Sequence, residues 1–237
     1  MLISQILKPG GGLAVVVRHG TEAAVVRGAT STYALASEAI AGGKTLAQTI
    51  SAHGLGEAVD LPALLAAGRV TLPISHPDAA HMHLTGTGLT HLGSASARDA
   101  MHAKLAGADT LTDSMKMFRM GLEGGKPADG GPGVQPEWFF KGDGSWLVGP
   151  GEPLPMPSFA LDGGEEPELA GLYLIDARGR PVRLGFSLGN EYSDHVTERQ
   201  NYLYLAHSKL RHSAIGPEMV VGRVPDKIEG MCRILRG

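Results

Sequence analysis

The sequence predicts an α+β protein dominated by strands. Three observations predict it. Short apolar, β-branched runs are separated by turn residues. The 34 glycines and 15 prolines punctuate the whole chain instead of one block. Only a few stretches carry alanine and leucine at helical spacing.

The elements follow in order. Leu13–Val17 and Ala23–Val26 are β-branched runs around His19-Gly20-Thr21, which predicts a hairpin. Thr32–Ala41 and Leu46–Ala52 have helical spacing. A third helix starts after Asp60, a residue suited to N-capping, and Val70–Ile74 forms a short strand. Residues 1–73 are expected to form a small α+β module and residues 74–237 a metal-binding catalytic domain. Ser94–Leu105 is expected to be helical, and the Gly/Pro/Asp-rich stretch Gly121–Val134 a loop. Strand and turn are expected at Trp138–Phe140 and Trp146–Gly151. Leu169–Ile175 and Val182–Leu188 flank Asp176–Arg180 as a second hairpin. A short helix over Ser193–Leu205 and a strand at Met219–Val221 complete the chain.

Bulk properties exclude several functions. At 237 residues the chain can bury a sizeable core. A formal net charge of -3 provides no basic stripe, so nucleic acid is not expected as a partner. The single cysteine, Cys232, excludes an internal disulfide and fits a reducing compartment. Pro9 and Gly10–Gly12 interrupt the N-terminal apolar run, which argues against a secretory signal. No apolar run approaches the roughly 20 residues of a membrane span. A soluble, cytoplasmic protein is expected. A dinucleotide fingerprint, a P-loop and a GxSxG elbow are absent from the sequence.

The carboxylates carry the chemistry. Glu166 and Glu168 are two apart, which on an extended segment places both on one face. Two close carboxylates repel unless a positive charge separates them. A hard divalent cation prefers oxygen ligands and supplies that charge. Exposed Glu-x-Glu pairs are also common as solvated faces. Pro167 between them implies an edge strand or a bulge. Glu191 follows Gly189-Asn190 at an expected strand end, where it suits either a third ligand or a helix N-cap or first-turn acid. Lys209 follows an apolar stretch and suits either a cleft cation or a surface lysine. Glu137 sits beside Trp138, Phe139 and Phe140, a setting that can raise a carboxyl pKa. His76, His81, His83 and His91 lack HExxH spacing and a nearby cysteine. Zinc is therefore disfavoured and a substrate or lid role is preferred, above all for His91.

The order Glu137, Phe139-Phe140-Lys141, Glu166-Pro167-Glu168-Leu169, Gly189-Asn190-Glu191-Tyr192-Ser193, Lys209 and Gly216-Pro217-Glu218 resembles the fumarylacetoacetate hydrolase superfamily. Asn201–Lys209 looks most like its 2-keto-3-deoxy sugar-acid dehydratase branch. The resemblance runs from about Thr85 onward.

It implies a mixed β-sandwich roll, and Mg2+ (or Mn2+ or Ca2+) held by Glu166, Glu168 and Glu191. It implies a catalytic role for Glu137, Lys209 and His91, and substrate contacts from Lys141, Thr87 and Asn190. The implied substrate is a small-molecule 2-oxo sugar acid, and a homodimer is implied. A 2-oxo acid chelating the metal has acidified C3 protons, and Glu137 is the first choice to remove one. Lys209 and the metal then hold the enolate. Loss of the C4 hydroxyl of a 2-keto-3-deoxypentonate as water, followed by tautomerisation, gives 2-oxoglutarate semialdehyde. Such a step belongs to non-phosphorylative pentose degradation.

Two departures stand out. The third ligand is usually aspartate, so with Glu191 either the backbone retreats or the set shifts, drawing on Asp194. Family chains continue past the Gly-Pro strand, whereas this sequence stops at Gly237. Either a fragment or a shortened roll is expected, with strand edges and an apolar face uncovered. Two other functions stay open. One is a hydrolase of 2,4-dioxo acids. Its relatives carry a lid His–Glu pair, but Ser94 stands three residues after His91, which favours the dehydratase. The other is an inactive sugar-acid-binding homologue.

Overall fold

The computed structural model of the protein describes residues 1–86, 111–134, 138–223 and 228–235. These fall in two compact units, Met1–His83 with Gly142–Gly237, and Leu84–Lys141.

Among the described residues, the larger unit is built on a nine-stranded sheet. Its main path runs β4 (Leu55–Ala58), β3 (Glu22–Val26), β2 (Leu13–His19), β1 (Leu2–Leu7), β11 (Ser213–Val221), β10 (Pro181–Asn190) and β9 (Pro167–Ile175). β5 (Val70–Thr71) pairs with β1, and β8 (Leu147–Val148) pairs in parallel with β11. The first and last strands are direct neighbours, with Ile3 opposite Met219. One sheet therefore contains both the N-terminal strands and the glutamate-bearing hairpin.

β2 explains the unbroken apolar run in its sequence. Val15 and Val17 enter a core with Leu35, Ala36, Leu46 and Ile50. Val16 and Ala14 enter a second core with Leu61 and Val70. A strand buried on both faces loses the apolar–polar alternation of a half-exposed one. The helices around it are α1 (Thr32–Ala41), α2 (Leu46–His53) and α3 (Leu61–Ala66). Each starts at a side-chain cap: Ser31 accepts from Ala34 N, Thr45 and Gln48 form a reciprocal capping box, and Asp60 accepts from Ala63 N.

The β9–β10 hairpin turns at Asp176–Arg180, as expected. Asp176 Oδ1 accepts from the backbone N–H groups of Arg178 and Arg180, and Gly179 takes φ 75°, a region that favours glycine. β9 lies at the end of the sheet path, so Pro167 opens an edge strand among the described residues. Leu169, Tyr173 and Ile175 of β9 and Leu188 of β10 are exposed, and Leu169 faces Leu188 across the ladder.

The segment after β10 differs from the single helix expected. α5 (His195–Gln200) ends where Asn201 adopts an extended backbone. A 3-10 turn at Tyr202–Tyr204 and α6 (Leu205–Lys209) follow, with Asn201 Oδ1 accepting from Leu203 N. The local Asn turn wins over helix continuation. β11 begins six residues before the expected strand at Met219.

The smaller unit contains α4 (Asp113–Gly124), capped by Thr112, with Met115 and Phe118 buried. β6 (His83–Gly86) pairs with β7 (Phe139–Asp143) in a two-stranded sheet. The loop expected from Gly121 starts only after Gly124, because capping and the buried Phe118 carry the helix through two glycines. The helix expected over Ser94–Leu105 lies outside the described residues. Among the described residues, no helix is long and apolar enough to cross a membrane.

Candidate metal centre

The geometry starts from the β9–β10 ladder. Pro167 faces Asn190, and Glu168 faces Gly189. Continuing one step, Glu191 N donates to Glu166 O at 2.9 Å. Glu166 and Glu191 are thus cross-strand neighbours, and Glu168 lies two residues along on the same face. Oxygens of Glu166, Glu168 and Glu191 all lie within 4.8 Å of one another. Two oxygens on one ion with ligand distances of about 2.0–2.6 Å are separated by no more than roughly 4–5 Å. The carboxylate set fits one hard cation by both spacing and donor type.

Like charges opposite each other on a sheet are destabilising, and a buried cation answers them. Lys209, at the end of α6, places Nζ 2.5 Å from Glu166 Oε1 and 3.4 Å from Glu191 Oε2. Its side chain is 7% exposed, so it is not the surface lysine allowed by the sequence. Burial alone favours its neutral form. The charges of Glu191 and Glu166 outweigh burial and raise its pKa above the ordinary value. Lys209 is therefore an ammonium. Burial pushes the Glu166 carboxyl upward, but the Lys209 ammonium and the hydrogen bond from His195 hold it below its ordinary value.

Asp194 has a different task from the metal-ligand role considered for it. It is fully buried and caps α5. Its carboxylate accepts from Leu161 N, Thr197 N, Thr197 Oγ1 and Arg211, whose guanidinium lies 3.2 Å away and is also buried. Burial raises the Asp194 pKa, yet these four donors bring it down to about 2. Asp194 N also donates to Ser208 O, beside Lys209. The acid and its arginine thus tie the lysine-bearing turn to the start of α5. Because Asp194 is the cap, Glu191 is not a helix N-cap or first-turn acid.

Asn190 accepts from Glu166 N through Oδ1 at 3.0 Å, which ties the end of β10 to the segment carrying Glu166. Lys141 is buried in β7 of the smaller unit. Glu137, His91 and Thr87 lie outside the described residues. The sequence reading did not single out His195 and Glu198. His195 Nε2 lies 2.8 Å from Glu166 Oε1, and the two residues form a second potential ligand group with Glu166. Their three-residue spacing on a helix start was the available signal.

The fold and site together define a mainly antiparallel sheet bearing a three-carboxylate cluster compensated by a buried lysine. No family model and no curated protein matches the chain. Among solved structures, it is similar to the apo form of 2-keto-3-deoxy-D-arabinonate dehydratase. The TM-score is 0.59 and the identity 21%, over 93% of this chain and 66% of that one. It is also similar to 2-keto-3-deoxy-D-arabinonate dehydratase complexed with magnesium and 2,5-dioxopentanoate, with TM-score 0.57 and 23% identity over the same shares. The chain spans just under two thirds of the length of these structures. The expected resemblance holds at the level of fold, in a mixed, sheet-dominated α+β architecture.

Proposed function

We propose that the chain carries a divalent-metal-dependent dehydratase site for 2-keto-3-deoxy sugar acids. The carrying observation is the convergence of Glu166, Glu168 and Glu191 around a buried Lys209, on a fold shared with a dehydratase. A structure of that fold complexed with magnesium and 2,5-dioxopentanoate supports both the ion and the substrate class.

Glu166, Glu168 and Glu191 would hold the ion. When bound, a divalent ion supplies Lewis acidity at the oxygens of a chelating 2-oxo acid. Lys209 is a poor base because its neighbours keep it protonated, so its role is to stabilise developing negative charge on substrate oxygen. Asn190 holds the segment that carries Glu166. Proton removal from C3 is assigned to Glu137, and acid assistance at the C4 hydroxyl to Glu137 or His91. The reaction expels the C4 hydroxyl with a C3 proton as water, giving a 5-hydroxy-2-oxo-3-enoate, and tautomerisation that moves hydrogen from C5 to the C3–C4 unit gives 2,5-dioxopentanoate. Lys141 and Thr87 are assigned to substrate binding.

The test is incubation with Mg2+ and 2-keto-3-deoxypentonate. Formation of the semialdehyde supports the dehydratase. Pyruvate formed only from 2,4-dioxo acids would replace it with the hydrolase. Ligand binding without turnover of either substrate would leave a binding protein.

A further inference from the structure

We propose that His195 is a positioning residue for Glu166, an inference that rests on the metal-site reading above. His195 Nε2 and Lys209 Nζ both donate to Glu166 Oε1, at 2.8 and 2.5 Å. Two donors on one oxygen fix the rotation of the carboxylate, and with it the direction of the lone pairs left for an ion. Such partners orient ligands, and their loss weakens metal affinity about 10–100-fold. Neutral histidine with its proton on Nε2 and the imidazolium both donate from this atom, so the contact does not depend on protonation.

The ring is held by construction. His195 opens α5 directly after the buried cap Asp194. Two backbone hydrogen bonds, of 2.8 and 2.9 Å, clamp Gly164 opposite Ser193. The imidazole lies against Gly164. A Cβ added there would come within 2.4 Å of Nδ1 and 2.6 Å of Cε1, so any larger residue displaces the ring. The missing side chain at residue 164 and the histidine at residue 195 therefore form one device, and its output is the orientation of Glu166. His195 is 29% exposed at its side chain, so its replacement leaves the core intact.

The competing role is direct ligation, since a ring nitrogen of His195 groups with Glu166 and Glu198 at ligand spacing. Glutamine discriminates the two, because its amide keeps an N–H donor without an imidazole. The experiment titrates Mn2+ into wild type, His195→Leu, His195→Gln and Gly164→Ala. Affinity is read by calorimetry, the first shell by pulsed EPR and folding by thermal melting. Positioning predicts a loss of about 10–100-fold for the leucine variant, near-wild-type binding for the glutamine variant and a loss for Gly164→Ala that follows leucine. It also predicts no directly bonded nitrogen signal from Mn2+. Wild-type affinity in a folded His195→Leu variant overturns the inference while leaving the metal site standing. A nitrogen signal with equal losses for leucine and glutamine overturns it in favour of ligation. Absence of Mn2+ binding by wild type defeats the metal reading itself and this inference with it.

Discussion

Lys209 Nζ and Glu166 Oε1 lie 2.5 Å apart, a partly buried ion pair joining the end of α6 to the start of the β9 ladder. The pair makes three neighbouring carboxylates tolerable on one sheet face. Removing the buried lysine leaves partly exposed carboxylates uncompensated, which costs less than the roughly 3–5 kcal/mol of breaking a fully buried pair because solvent screens them. Lys209→Met is therefore expected to lower the melting temperature. A divalent ion restores positive charge at the same carboxylates. Added Mg2+ should thus raise the melting temperature of the variant more than that of wild type. Equal shifts would separate Lys209 from the carboxylate centre. Turnover of 2-keto-3-deoxypentonate should fall well beyond the loss of folded protein.

Glu168→Gln tests the ligand set from its most exposed member. The change removes a charge and retains the shape. Calorimetric Mg2+ affinity should drop by tenfold or more, equivalent to at least about 1.4 kcal/mol, while the melting curve without metal changes little. Unaltered affinity would remove Glu168 from the set.

Asp194 predicts a limb of acid stability. Its folded pKa of about 2 lies below the ordinary carboxylate value. Its contribution is therefore complete above the unfolded-state pKa and is lost as pH falls through the folded one. Urea unfolding between pH 5 and about 2 should show this loss in wild type. Asp194→Asn should flatten that limb and destabilise the protein at neutral pH, because Arg211 loses its buried counter-charge. An unchanged acid limb in the variant would assign the titration to other carboxylates.

Gln5 joins β1 to two neighbouring segments. It is fully buried, donates to Leu72 O at 2.8 Å and accepts from Thr32 N at 2.8 Å. Leucine would leave the buried Thr32 N–H without its acceptor and the partly buried Leu72 O without its donor, at about 1–3 kcal/mol for the buried group and less for the other. Urea denaturation of Gln5→Leu should show a loss of about 2–5 kcal/mol, and a loss below 1 kcal/mol would mean that the freed groups find other partners.

Local chemistry was the legible part of this chain. The Asp176–Arg180 turn, the caps at Asp60 and β2 itself follow from short windows. The Glu166/Glu168 pairing followed from strand alternation, and Pro167 correctly marked an edge. Long-range facts were not legible. Whether Asp194 faces an ion or the interior depends on Arg211, seventeen residues away and folded under it. His195 gains its position from a glycine 31 residues earlier, a dependence that no periodicity encodes. The break at Asn201 turned on one side-chain hydrogen bond competing with helix propagation.

The pairing of Ile3 with Met219 has a consequence for biosynthesis. β11 emerges only after more than two hundred further residues have been polymerised, whereas β2 and β5, the other partners of β1, are made early. At about 5–20 residues per second, the wait is on the order of tens of seconds. During that interval the β11-facing part of the β1 edge, at Leu2 and Ile3, stays unpaired and open to other chains or to a chaperone. The glutamate hairpin is likewise synthesised before the strand that seats it in the sheet. The link between the N-terminal strands and the carboxylate-bearing hairpin is thus a late event of synthesis, made only once β11 is available.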